Sequence, residues 1–213
     1  MDFVPVHAGV TDFLGLAVPA ASPARSVAEF ADHARARPGR LNWHAPSGTA
    51  AYLVCRDFMR IAGGLDMNYV SYSRLPQALL DLVAGRLDVA LSPLAPIAPL
   101  LRDGQLRLLA TTGQTRAPAV PDVPTAAEAG FPSLEIEGIL GLFGWRGMPE
   151  TARAELAEQA RAVLTEPAAA ERLRAAGMAA RDASSPAAFT AELVAHRARW
   201  TALAREFGLR PAN

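Results

Sequence analysis

Two spacings alternate along the first half of the chain: short continuous apolar runs, the mark of buried strands, and stretches whose apolar residues return every three or four positions, the mark of helices. "VTDFLGLAVPA" (Val10–Ala20) reads as one apolar strand. "SVAEFADHARARPG" predicts a helix capped by Ser26, with Glu29 as its capping-box partner and Pro38 and Gly39 as its stop. The strand "RLNWHAP" follows, then a turn through Ser47, Gly48 and Thr49 into the amphipathic helix "AAYLVCRDFMRIAGG". Next come the strand "MNYVSY", the helix "LPQALLDLVAGR" ending near Gly85, the strand "LDVALS", a short helix stopped at Gly104, and the strand "LRLLATTG". This alternation predicts an α/β lobe: a mostly parallel sheet with flanking helices.

Past Arg116 the pattern changes. "RAPAVPDVPTAAEAGFP" is too rich in proline and turn residues for a long element and reads as a surface connection. "LEIEGILGLFGW" is strand-like, and two helices, "PETARAELAEQARAVLTEP" and "PAAFTAELVAHRARWTALAREFG", follow on either side of the small piece "AAAERLRAAGMAARDA". Apolar residues at helical spacing predict that each packs one face, and His196 with Trp200 falls on such a face.

Composition narrows the function classes. With 51% hydrophobic and 20% charged residues the chain buries a real core. Its 21 basic and 21 acidic residues cancel and form no basic run, which leaves a nucleic-acid or membrane surface without electrostatic support. Every basic residue is arginine, and nothing mechanistic follows from that. The single cysteine, Cys55, sits at an apolar helical position and reads as a buried thiol, so neither a disulfide framework nor a redox compartment is indicated. No apolar stretch is long enough to span a bilayer, and the opening residues lack the basic and apolar regions of a signal peptide.

No enzyme constellation stands out. His7, His33, His44 and His196 have no metal-ligand spacing, and neither a phosphate-binding glycine loop nor a G-x-S-x-G elbow is present. His44 lies close enough to Ser47 to raise the question of a dyad, while Asp81 and Asp88 read as cap or solvent-side groups. No cofactor is implied. The turn at Ser47–Thr49 keeps two readings: a helix N-terminus that binds an anion through free N–H groups and the dipole, or an ordinary N-cap satisfied from within the chain.

The order of "DFVPV", "SVAEFADHARARPGRLNWHAPSGTAAYL", "VSYSRLPQALLDLVAGRLDVALS", "RAPAVPDVPTAAEAG" and "LGLFGWRGMPE" resembles the extracytoplasmic receptors of tripartite tricarboxylate transporters, the Bug-type receptors. The most specific part is Arg116–Gly130, close to that family's "RSPALPDVPTVAEAG". The resemblance implies a type II periplasmic-binding-protein fold, one lobe complete and the other partial, because family members begin well before "DFVPV". The division expected is 1–20 as a crossover strand segment, 21–115 as the complete second lobe, 116–134 as a connection, and 135–213 as the return strand and C-terminal helices of a partial first lobe.

It also implies a periplasmic, non-enzymatic receptor that binds a small organic carboxylate and delivers it to membrane transporter subunits. The anchor would be Ser47, Gly48 and Thr49. Tyr52 stands where the family often has histidine, Ser71, Tyr72, Ser73 and Arg74 where it often has P-Y-K-G, and Ser92 where it often has aspartate. Tyr52, Tyr72, Ser73, Arg74 and Ser92 complete the candidate ligand site, with Arg74 either a fork of donors for a carboxylate or a solvated side chain at a strand-to-helix turn. The alternative function is that of a remnant serving a structural or interaction role, self-associating through the lobe surface left uncovered.

Overall fold

A computed structural model describes residues 3–181 and 185–209. The chain divides into two compact units, Phe13–Glu137 on the one hand and Met1–Asp12 with Gly138–Asn213 on the other. The strand expected over Val10–Ala20 is in fact two. β1 (Phe3–Asp12) belongs to one unit and β2 (Leu14–Pro19) to the other, with the break at Phe13. Continuous apolar spacing cannot reveal such a break, because both strands are buried on either side of it.

In the central unit β2 is joined by α1 (Val27–Arg35), β3 (Asn42–His44), α2 (Ala50–Ile61), β4 (Asn68–Tyr69), α3 (Leu75–Val83), β5 (Val89–Pro93), α4 (Leu94–Arg102) and β6 (Leu106–Thr111). The sheet order is β4-β3-β5-β2-β6. β3 is parallel to both β4 and β5, and β2 is antiparallel to both β5 and β6. Four strands therefore point one way and β2 alone runs against them.

Local chemistry accounts for these elements. The Ser26 hydroxyl accepts the Glu29 N–H (3.1 Å) and the Glu29 carboxylate accepts the Arg25 N–H (2.7 Å), which fixes the start of α1. Val27, Phe30, Ala31 and Ala34 then bury one face of it. β2 is buried at every residue, and a Cβ on Gly15 would lie 2.5 Å from Leu108 Cδ2 and 2.8 Å from Leu94 Cδ2, so a side chain there would displace both leucine tips. Arg107 donates to the carbonyls of Ala20, Ser22 and Ala24, each at 3.0 Å, and closes the loop after β2. Cys55 is buried, and burial pushes its thiol up to about 12.

The Pro-rich segment 116–134 packs within this same unit. Glu128 accepts the Thr125 N–H (2.8 Å), Thr125 accepts the Glu128 N–H (3.1 Å), and Arg116 pairs with Glu128 at 2.8 Å while donating to the Pro121 carbonyl. The clasp is tied to the end of β6: Thr111 N–H donates to Pro124 O and Ala126 N–H to Thr111 O. A short 3-10 turn at Pro132–Leu134 completes it.

The second unit is a three-stranded antiparallel sheet, order β7-β1-β8, with β7 at Gly138–Trp145 and β8 at Met178–Ala180. Its helices are α5 (Glu150–Leu164), α6 (Pro167–Ala175) and α7 (Pro186–Glu206). α7 starts at Ser185, whose hydroxyl accepts the Ala188 N–H (3.2 Å), and buries Phe189 against Gly141 and Phe143. Contrary to the apolar face expected from its spacing, α5 has no fully buried residue. Its Leu156 and Val163 are exposed, with no element of the described residues over them. His196 and Trp200 are both half-buried, their rings edge to face at 6.4 Å. Asp182 and Ala183, at the end of the piece between the two long helices, lie outside the described residues. Among the described residues no helix is long and apolar enough to cross a membrane.

Phe30 is 1% exposed at the centre of the α1 face. Phe30→Ala should lower the stability of the central unit by about 3–5 kcal/mol in denaturant unfolding.

Candidate functional site

Because β4, β3 and β5 are neighbours and parallel, the segments after their carboxyl ends lie in a row on one edge of the central sheet. The residues after β3 include Ser47, Gly48 and Thr49; those after β4 include Tyr72, Ser73 and Arg74; Ser92 is the penultimate residue of β5. The opposed β2 brings its own beginning to the same edge, with Gly15 opposite both Ser92 and Thr111. Ligands of open α/β sheets gather at such an edge.

Ser47, Gly48 and Thr49 are exposed. Gly48 holds φ +72, a left-handed turn that glycine adopts without cost, and a Cβ there would touch nothing. Thr49 is the N-cap of α2: its hydroxyl donates to Pro46 O (2.6 Å) and accepts the Tyr52 N–H (3.4 Å). The Ala50 and Ala51 amides precede the first intrahelical bond, from Leu53 N–H to Thr49 O, and sit at the positive end of the helix. The hydroxyl thus serves the helix, and the leading amides have no intrahelical partner.

Tyr52 belongs to an aromatic group. Its ring stacks on Trp43 (5.4 Å) and meets Tyr69 edge-on (5.0 Å), Trp43 lies 4.8 Å from Tyr69, and the Tyr69 hydroxyl donates to Ala45 O (3.1 Å). These contacts fix the loop after β3 against the end of β4. His44 is buried, with Nδ1 3.0 Å from Val70 O and its ring edge-on to Tyr72 at 5.1 Å. Among the described residues His44 makes no hydrogen bond to Ser47, so the pair forms no dyad.

Tyr72 is half-buried and donates to Asp81 Oδ2 at 2.6 Å, while Arg86 grips Asp81 Oδ1 with two N–H groups at 2.8 and 2.5 Å. The Arg86 bond, and then that from Tyr72, hold the Asp81 carboxyl below its ordinary range. Burial, followed by the bond to Asp81, pushes the Tyr72 hydroxyl up to about 12. Asp81 thus anchors Tyr72, and Asp88 accepts the Asn42 N–H (2.7 Å) at the start of β3. Ser73 and Arg74 are exposed, and Arg74 occupies the N-cap of α3 with no side-chain cap bond. Ser92 is fully buried and donates to Pro93 O (3.1 Å), which turns its hydroxyl into the strand end.

Thr111 was not among the residues singled out from the sequence. It is fully buried at the carboxyl end of β6, and its hydroxyl has no partner among the described residues. Two adjacent threonines closing an otherwise apolar strand, "LLATTG", were the available signal. Among the described residues no group of three His, Cys, Asp or Glu side chains could hold a metal.

Residues 1–209 match the family model described as the tripartite tricarboxylate transporter family receptor. The chain belongs to that family. It is 31% identical over 179 residues to a UPF0065 protein of the tcbD-tcbE intergenic region of Pseudomonas sp. (strain P51), covering 83% of this chain and 53% of that protein. A UPF0065 protein from the gbd 5' region of Cupriavidus necator is 31% identical over 118 residues, covering 55% of this chain and 36% of that one. The chain thus spans about half the length, or less, of the curated relatives it matches.

Among solved structures, an R. palustris protein determined with adipate superposes with TM-score 0.85 at 29% identity, covering 100% of this chain and 71% of that one. MatC of Rhodopseudomonas palustris with bound malate gives TM-score 0.77 at 28% identity over 94% of this chain and 69% of that one. The periplasmic binding protein BugD, at 21% identity and TM-score 0.81, shares the fold.

The Tyr72–Asp81 bond has a spectroscopic signature. With the folded pKa raised, the stability that Tyr72 contributes is complete below the ordinary tyrosine range near 10 and is lost as pH rises toward about 12. Ultraviolet titration should show one of the three tyrosines ionising late, and Asp81→Asn should bring it back toward its ordinary range.

Proposed function

We propose that the central unit supplies one half of a receptor for a small organic carboxylate, whose full receptor delivers it to the membrane subunits of a tripartite tricarboxylate-type transporter from the periplasm. The observation that carries this reading is the row of loops at one sheet edge. It sets the leading amides of α2 beside the loop bearing Tyr72, Ser73 and Arg74, in a chain of this receptor family. Two solved relatives, determined with adipate and with malate, support a carboxylate as the ligand class.

In this reading a carboxylate oxygen meets the amides around Ser47–Ala51 at the positive end of α2. Arg74, exposed one loop away, provides the second set of donors, and its planar fork suits a carboxylate. Tyr52 shapes the wall through the Trp43–Tyr69 group, Tyr72 stands beside His44 with its hydroxyl held by Asp81, and Ser92 shapes the floor from within β5. The hydroxyl of Thr49 is committed to Pro46 O and Tyr52 N–H, so the anion is met by backbone rather than by this side chain.

Titration calorimetry against adipate, malate and aromatic monoacids should give saturable heat with at least one dicarboxylate. Arg74→Ala should weaken that binding roughly 10- to 150-fold, corresponding to a lost charged hydrogen bond of roughly 1.5–3 kcal/mol. No heat from any acid, either with this chain or with a receptor restored to the length of its relatives, would overturn the proposal.

Thr49→Val discriminates between the two jobs of the turn. It should cost about 1 kcal/mol of stability as a lost cap and leave carboxylate affinity within twofold. A large loss of affinity at unchanged stability would show that the hydroxyl itself contacts the ligand.

A further inference from the structure

Aromatic residues are placed unevenly within the central unit. Where a ring fills the core the chain uses phenylalanine: Phe13, Phe30 and Phe58 are each 3% exposed or less. Tyrosine is kept for one place. The chain has three, Tyr52, Tyr69 and Tyr72, and all of them stand at the sheet edge where β3 and β4 end and α2 begins. Each is half-buried, and Trp43 of β3, itself buried, packs against two of them. All four rings lie in the continuous unit Phe13–Glu137. An apolar body with a polar tip suits a surface that is partly dry and partly wet, which is the character of a small-molecule wall.

The three hydroxyls are not equally engaged. Tyr69 donates to Ala45 O and Tyr72 to Asp81 Oδ2, so both are tied back into the fold. The Tyr52 hydroxyl makes no hydrogen bond among the described residues. Its ring is held by its neighbours: Trp43 is stacked on it, Tyr69 meets it at an interplanar angle of 77°, and Arg56 Cζ lies 6.0 Å from its centroid. The ring is thus fixed in place while its polar tip is not spent on the scaffold.

Position in the helix decides what this ring lies beside. Tyr52 is the third residue of α2. The Cα–Cβ bonds of a helix tilt toward its N-terminus, so a side chain covers the turn before its own Cα. For Tyr52 that turn is the start of α2, where the Ala50 and Ala51 amides have no intrahelical partner. An acid held there by one carboxylate oxygen carries its next carbon atoms along the Tyr52 ring.

Resting on the carboxylate site proposed above, we infer that the preferred ligand bears an aromatic ring next to its carboxylate, and that Tyr52 is the residue that selects for it. A planar ring meets Tyr52 in the offset or edge-to-face arrangements that aromatic pairs favour. A saturated ring of similar size and the same charge buries comparable area but has no quadrupole to align. The difference is worth about 2- to 13-fold in affinity beyond the area buried. Because Trp43 and Tyr69 hold the Tyr52 ring before any ligand arrives, little side-chain freedom is lost on binding.

Matched acids test this by titration calorimetry, on this chain and on a receptor restored to the length of its relatives. Benzoate is set against cyclohexanecarboxylate and phenylacetate against cyclohexylacetate, with adipate and malate as ring-free acids. The aromatic member of at least one pair should bind about 2- to 13-fold tighter than its saturated counterpart. Tyr52→Leu should abolish that preference and Tyr52→Phe should keep it, with the late Tyr72 titration in both variants as the sign that the central unit is folded. Equal affinities within each pair, a preference that survives Tyr52→Leu or is lost in Tyr52→Phe, or heat from adipate or malate alone would overturn the aromatic selection and leave the carboxylate site standing. No heat from any acid would overturn the site itself, and the selection with it.

Discussion

Everything at the candidate site depends on β2 running against its neighbours. Buried along its whole length, it forces the strands on either side to supply apolar contacts to both faces, and Gly15 allows Leu94 and Leu108 to close over it. With β2 reversed in the middle, its beginning meets the ends of β5 and β6 at one edge. The same edge receives the ends of β3 and β4 by parallel pairing. Five chain segments thus converge where α2 begins, and no single motif is responsible for bringing them there.

Much of this was legible in the sequence for a physical reason. Helices α1 to α4 are short amphipathic units closed by caps and glycines whose chemistry is local, such as Ser26 with Glu29, or Gly85 and Gly104 with positive φ. The break at Phe13 was not legible, since membership of one sheet or another is decided by partners far along the chain. The site was legible in part. The turn at Thr49 announces a helix start, but only the structure shows that its hydroxyl is spent on Pro46 O and Tyr52 N–H. Nothing in the spacing of Tyr72 and Asp81, nine residues apart, predicts that they bond. Ser92, exposed in no part, gives its hydroxyl to the adjacent carbonyl.

The second unit illustrates how helical periodicity reports an intention to pack without naming the partner. The spacing of α5 predicts an apolar flank, and the flank exists, yet Leu156 and Val163 remain open. Phe189, by contrast, meets Gly141 and is sealed. The difference lies in what stands opposite, which is a property of the assembled sheet and not of either helix.

The Arg116–Glu128 clasp carries a consequence for how such chains are recognised. The residues of "RAPAVPDVPTAAEAG" that make the motif distinctive spend their polar groups on one another and on the end of β6. The motif therefore fastens the scaffold. A substitution in the loops proposed to meet a carboxylate would leave that fastening in place.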